Sequence, residues 1–241
     1  LYCDVSKKVW ADAPWIFLVA YKNSSIPALR TQQEYFDALL AATPTLGRPF
    51  TIRTFYEEMS NDLLSVQGVV IGWVQLDSND TWYEGSQNGL TSSGHVAQLI
   101  QEAVSKSDAS NDYGQFDNDG PDGIPNNGDD DGFVDVAVFV QPEKDGACGG
   151  NANIWSHKYF YGAWPGTGGS LATGDVSARA GFGNVRVNSY TIQSGVGGAT
   201  ACDANSIMAI GTTAHETGHG LGLPDFYDTN PGDGDDSEGI G

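Results

Sequence analysis

The run Trp15-Ile16-Phe17-Leu18-Val19-Ala20-Tyr21 is continuously apolar and rich in β-formers, which predicts a strand buried on both faces. A helix should follow. Thr31 with Glu34 three positions later forms a capping box, and Tyr35, Phe36, Leu39 and Leu40 supply the apolar stripe. The segment from Thr54 to Met59 predicts a second short helix, ahead of a strand from Gln67 to Leu76. Between Ser93 and Lys106, apolar residues at Val96, Leu99, Ile100, Ala103 and Val104 recur at helical spacing. His95, at the start of that helix, reads as a surface residue. Gly132 to Val140 and Val185 to Ile192 predict two further strands, and a last helix is expected to begin near Asn205. Strands alternating with helices imply an α/β layer with a mixed, twisted sheet. No repeat of solenoid length is present.

That last helix carries His215-Glu216-Thr217-Gly218-His219, followed by Gly220-Leu221-Gly222-Leu223-Pro224-Asp225. Residues four apart sit one turn above each other on a helix, so His215 and His219 can direct their rings at one cation. Glu216 lies beside them. A carboxylate there can take a proton from water at an open zinc position, which makes it the expected general base. Gly222 can adopt a left-handed conformation and Pro224 cannot continue a helix, so the chain reverses and brings Asp225 back as the third ligand. Asp228 and Glu238 are alternatives for that place. Glycines inside a helix cost roughly 1 kcal/mol each relative to alanine, so Gly218 and Gly220 imply close packing or room for substrate.

The spacing His-Glu-x-x-His-x-x-Gly-x-x-Asp resembles the metzincin signature, with Asp225 where most members carry a third histidine. The run from Gly220 to Asp228 resembles, more closely, the M6 family of secreted bacterial peptidases, the immune inhibitor A type. Gly72-Trp73-Val74, Trp82-Tyr83-Glu84-Gly85, the Asp/Gly-rich run from Asp117 to Asp135 and Ile154-Trp155-Ser156-His157-Lys158 extend the likeness over most of the chain. The resemblance implies a zincin-like, metzincin-like α/β catalytic domain and a secreted zinc endopeptidase acting on proteins or peptides. It also implies a methionine-containing turn downstream of the third ligand, whereas Met59 and Met208 both precede His215. Residues 1–241 are therefore expected to be the N-terminal part of one catalytic domain, its C-terminal subdomain truncated, from a parent with a propeptide and further C-terminal domains. A thermolysin-type enzyme using Glu238 is a rival. A noncatalytic calcium-stabilised surface module, or an inactive fragment, is another.

Acidic residues outnumber basic ones 31 to 11, for a formal charge of −20. Nucleic acid and anionic membrane surfaces would be repelled. No stretch approaches the roughly 18 apolar residues of a membrane span, and the start lacks a signal-peptide pattern. The acids concentrate in runs with glycine and asparagine, which favours divalent ions. Asp117, Asp119 and Asp122, with Asp129, Asp131 and Asp135, alternate beside glycines as in loops that wrap calcium, though the glutamate of a full EF-hand is missing. A plain acidic turn uses the same residue types. The acidic run from Asn230 to Glu238 reads equally as a cation loop or a solvated one.

Cys3, Cys148 and Cys202 allow at most one internal bridge. Pairing Cys148 with Cys202 would brace the segment leading into the metal-binding helix; three free thiols are the alternative. His157 is read as packing against Trp155 or reaching the cleft, and Tyr227 as a packing residue or an oxyanion donor.

Overall fold

A computed structural model describes residues 9–11, 15–45, 47–120, 122–149, 153–198 and 202–225. In chain order the elements are β1 (Val9–Ala11), β2 (Trp15–Ala20), α1 (Gln32–Leu39), α2 (Ile52–Met59), β3 (Leu64–Val66), β4 (Val69–Gln75), α3 (Asp80–Glu84) and α4 (Val96–Ser107). They continue with β5 (Ala137–Gln141), β6 (His157–Phe160), β7 (Leu171–Val176), β8 (Asn184–Val187), β9 (Ser189–Ser194), β10 (Val196–Gly197), β11 (Asp203–Ile207) and α5 (Ile210–Gly220). The central sheet has the order β4-β2-β5-β9-β6. Its first four strands are parallel, and the edge strand β6 runs antiparallel to β9. The mixed α/β architecture is the one expected from the alternating pattern.

β2 is buried throughout because both faces are covered. Trp15, Phe17 and Val19 pack with Phe139, Tyr190, Ile192 and the apolar stripe of α4. Ile16 and Leu18 alternate to the other face, where Val138 and Val140 meet α1, α2 and Ala214 of α5. Leu99 and Ile100 of α4 are fully buried, and such side chains contribute about 1.5–3 kcal/mol each. The capping box of α1 forms as read, with the Thr31 hydroxyl accepting from Glu34 N and the Glu34 carboxylate accepting from Thr31 N.

Boundaries depart from expectation at four places. The helix read from Thr54 starts at Ile52, capped by Thr51. The strand read from Gly132 begins only at Ala137, because the Val134 amide donates to Arg186 O and the Asp135 amide to Phe116 O. The strand read from Val185 to Ile192 is two strands, β8 paired with β7 and β9 in the central sheet. Asn188 divides them: its carbonyl accepts from Tyr161 N at 2.7 Å and its side chain from Gly162 N at 3.0 Å. The final helix begins at Ile210 and not near Asn205, since Asp203–Ile207 pair with β10 as β11.

Candidate metal centre and cleft

α5 is anchored from both ends. Arg48 donates to the carbonyls of Met208 and Ile207 at 2.8 and 3.0 Å, fixing the entry, and the Tyr56 hydroxyl donates to Ala214 O at 2.6 Å. At the exit the Leu223 amide reaches back to Gly218 O and the Gly222 amide to His219 O, with Gly222 at φ +86°. This is a Schellman termination, and it needs a residue that tolerates the left-handed region. The helix glycines have the packing reason anticipated. A Cβ on Gly220 would lie 3.0 Å from Val136 Cγ2, and one on Gly218 would lie 3.3 Å from the Tyr56 hydroxyl.

The reversal brings Asp225 over the two histidines. His215 Nε2 and His219 Nε2 lie 3.1 Å apart, and Asp225 Oδ1 stands 3.3 and 3.1 Å from them. The His219 Nδ1 lies 2.8 Å from Leu223 O. A carbonyl only accepts, so Nδ1 carries a proton toward it and Nε2 is the ring nitrogen turned inward. Glu216 is 7% exposed. Burial raises its carboxyl to about 7, with Asp225 and Asp145 adding to the rise, while His219 and the backbone amide of Lys158 oppose it. Asp228, Glu238, Tyr227 and the 230–238 run lie outside the described residues, as does Cys3.

These groups sit in a cleft of about 890 Å³. Its walls include Trp155 to Lys158 at the edge of the sheet and the first turn of α5. Cys148 and Cys202 are joined by a disulfide across 54 positions, with Cα atoms 5.5 Å apart, and both line the cleft. That bridge ties the loop after β5 to the start of β11, as the bracing role required. His157 also lines the cleft, but its ring nitrogens are engaged by Trp155 O at 2.7 Å and the Tyr190 hydroxyl at 3.1 Å. His95 is a surface residue stacked on Trp82, ring centroids 3.8 Å apart.

A second cluster lies in the acidic loop. Asp117, Asp119 and Asp130 each offer a carboxylate oxygen within 4.8 Å of the others. Asp117 is fully buried, its Oδ1 accepting from Gly132 N at 3.1 Å while its Oδ2 has no hydrogen-bond partner. Asn118 Oδ1, next to it, is also buried without a partner. Burial raises the Asp117 carboxyl to about 6 and the neighbouring acids add to it. Asp131 is raised for the same first reason.

The remaining acids of the loop serve the backbone. Asp122 accepts from Ile124 N and Asn127 Nδ2, Asp131 from Phe133 N, and Asp135 from Asn118 N. The Asp129 carboxylate packs against Gly120, where a Cβ would stand 2.8 Å from its Oδ2. Asp130 was not singled out from the sequence, because alternation through Asp129-Asp130-Asp131 selects the outer pair. The glycine at 120 was the available signal, since it leaves room for Asp130 Oδ1 to accept from its amide at 2.9 Å. Asp145 was missed as well. It is buried in the cleft wall, holding Ser156 through both the amide and the hydroxyl.

Comparison with known proteins agrees with this geometry. The catalytic domain of immune inhibitor A peptidase M6 matches residues 30–240. The chain belongs to that family. It is 31% identical over 188 residues to the pre-pro-metalloprotease PrtV of Vibrio cholerae serotype O1, covering 74% of this chain and 19% of that protein. It is 28% identical over 193 residues to immune inhibitor A of Bacillus thuringiensis subsp. alesti, covering 75% of this chain and 26% of that protein. The chain thus spans about a fifth to a quarter of the length of these relatives. Family membership brings a metalloprotease class and an implied metal. Among the described residues no helix is long and apolar enough to cross a membrane.

Proposed function

We propose that this chain is the catalytic portion of a zinc-dependent endopeptidase acting on protein or peptide substrates. The observation that carries the reading is the convergence of His215 Nε2, His219 Nε2 and Asp225 Oδ1 within 3.1–3.3 Å of one another. Zinc bonds of roughly 2.0–2.1 Å at tetrahedral angles set ligand atoms about 3.3 Å apart, so the three donors fit that ion without rearrangement. Imidazole nitrogen and carboxylate oxygen are also the donor types zinc takes. The His219–Leu223 contact is the kind of outer hydrogen bond that orients a ligating ring. Zinc supplies Lewis acidity at such a site, polarising a carbonyl oxygen and acidifying water.

The protein's own groups do the rest. The Glu216 carboxylate, buried beside the two histidines, is placed to accept a proton from the attacking water and return it to the departing amine nitrogen. Walls on both sides of α5 confine the peptide, and Asp145 keeps the Ser156 peptide in register.

The acidic loop is assigned to calcium, with Asp117, Asp119 and Asp130 as ligands. A buried carboxylate oxygen lacking a donor is costly. A hard cation that takes several oxygen ligands removes that cost. Secretion is supported by the Cys148–Cys202 disulfide, which suits an oxidising compartment, and by the pre-pro prefix in the Vibrio relative's name.

The test is digestion of casein and of a peptide library by this chain and by a C-terminally extended parent, each stripped of metal and then reloaded with zinc. Cleavage that returns with zinc and disappears with chelator is expected. Calcium binding with no cleavage by either protein would replace the reading with that of a noncatalytic module.

A further inference from the structure

The two faces of β9 differ in character. Tyr190 and Ile192 pack with α4 in one apolar core, so alternation along the strand turns Thr191 and Gln193 to the opposite face. The register agrees. Thr191 and Gln193 pair with Val138 and Val140 of β5, which belong to the core shared with α1, α2 and Ala214 of α5. On the face that meets α5, valine thus gives way to threonine and glutamine from one strand to the next. Gln193 is 1% exposed and Thr213, on the first turn of α5, is 2% exposed. Both line the cleft that holds His215, Glu216 and His219. Among the described residues, Gln193 Oε1, Gln193 Nε2 and Thr213 Oγ1 have no hydrogen-bond partner.

Burying an amide in this way is costly, whereas methionine would fill a similar volume with no such group to desolvate. Stability does not account for Gln193. A primary amide presents an acceptor beside two donors. An apolar side chain entering the cleft would leave both ends unmet, and an ammonium or guanidinium would meet the acceptor alone. A carboxylate would meet only the donors, and it would face Asp145 and Glu216 in the same cleft. A carboxamide meets both ends at once through two parallel bonds. Depth selects a side chain over the main chain, since groups this buried are reached by a substituent projecting into the wall and not by a backbone lying along it.

We propose that Gln193, with the Thr213 hydroxyl, forms a specificity subsite in the cleft wall for a substrate carboxamide, the side chain of glutamine or asparagine. This rests on the reading of the cleft as that of a peptidase. A site built to pair polar groups discriminates strongly against an analogue that lacks them. In the zinc-loaded, extended parent, a peptide library should therefore show one substrate position at which glutamine or asparagine exceeds leucine by about 10- to 100-fold in kcat/KM. Gln193→Met should bring that ratio close to one, with zinc content unchanged and Tm no lower. Thr213→Val should reduce the ratio by a smaller factor. Equal cleavage of the carboxamide and leucine peptides by the wild type would overturn the proposal, and so would a preference that survives Gln193→Met.

Nuclear magnetic resonance on this chain supplies a second readout that does not depend on turnover. The side-chain amide signal of Gln193, identified by its loss in Gln193→Met, should shift when a short blocked peptide containing glutamine is added to the zinc-loaded Glu216→Ala protein. A matched peptide with leucine in its place should leave it unmoved. If the extended parent cleaves nothing, the peptidase reading fails, and the amide signal still decides whether the subsite exists. A signal that no carboxamide peptide moves would leave buried water as the partner of Gln193 and overturn the proposal.

Discussion

The helix-borne cluster at His215, His219 and Asp225 and the loop-borne cluster at Asp117, Asp119 and Asp130 each bring three ligating groups together, but by different physical routes. In the first, one helical turn sets two candidate ligands and one termination turn sets the third, so eleven residues of chain, 215–225, do the work. The donors are partly exposed in a cleft. In the second, every ligand is oxygen and lies in irregular backbone, and two of the three residues are buried. There the amides of Gly132, Gly120, Asn127 and Asp131 occupy some carboxylate oxygens and leave others bare. On the proposed reading, a regular element builds a reactive, open site and a cradle of amides builds a closed, structural one.

If that contrast is right, removing a ligand should abolish function at the first site and lower stability at the second. The largest effect belongs to His219→Ala. It should leave less than about a tenth of a zinc per chain by plasma emission and remove detectable hydrolysis, since three protein ligands are the minimum of a catalytic zinc site. One zinc per chain retained after that change would break the comparison at its first term. Glu216→Ala should keep the metal and lower kcat by about 100- to 10,000-fold, the usual range for a positioned acid–base group.

At the loop the expected response is thermal. Calcium at about 100 times its Kd stabilises by about 2.7 kcal/mol, or roughly 5–10 °C in Tm for a chain of this size. Asp117→Asn should lose that increment with zinc content unchanged. A calcium-induced shift persisting in the variant would show that the ion sits elsewhere.

The smallest effect is a pH dependence of the metal-free protein. The folded carboxyls of Asp117 and Glu216 lie at about 6 and about 7, above their ordinary values of 3.8 and 4.5. A carboxyl raised on folding contributes stability that is fully present below its unfolded pKa and is lost as pH rises through the folded one. Stability should therefore fall from about pH 4 to about pH 7. Glu216→Gln should flatten the upper part of the decline and Asp117→Asn the lower part, as denaturant midpoints at several pH values would show. A midpoint that rose with pH over this window would contradict both shifts.

Much of the fold was readable in the chain, for reasons that stay local. The Thr31–Glu34 box and the α4 stripe involve residues within one or a few turns, and each formed as expected. The pairing of Cys148 with Cys202 was also anticipated and is present. The division of β8 from β9 was not readable, because Asn188 is claimed by Tyr161 and Gly162 more than twenty positions earlier. Nor was the true start of α5, since Asp203–Ile207 become a strand only when β10 lies beside them. Asp130 escaped for a related reason: its role depends on which amides of the folded loop reach it.

What the amino-acid order determined unaided was the helix with two imidazoles one turn apart, its glycine-terminated reversal toward Asp225, and the alternation that makes a layered sheet. Backbone periodicity and the left-handed tolerance of Gly222 suffice for these, and both act over a few residues. Tertiary structure alone decided which loop oxygens face no donor, which segment lines the cleft opposite Glu216, and that Trp155 and Tyr190 engage His157. Those relations join segments tens of residues apart, and they exist only after burial has removed water as the competing partner.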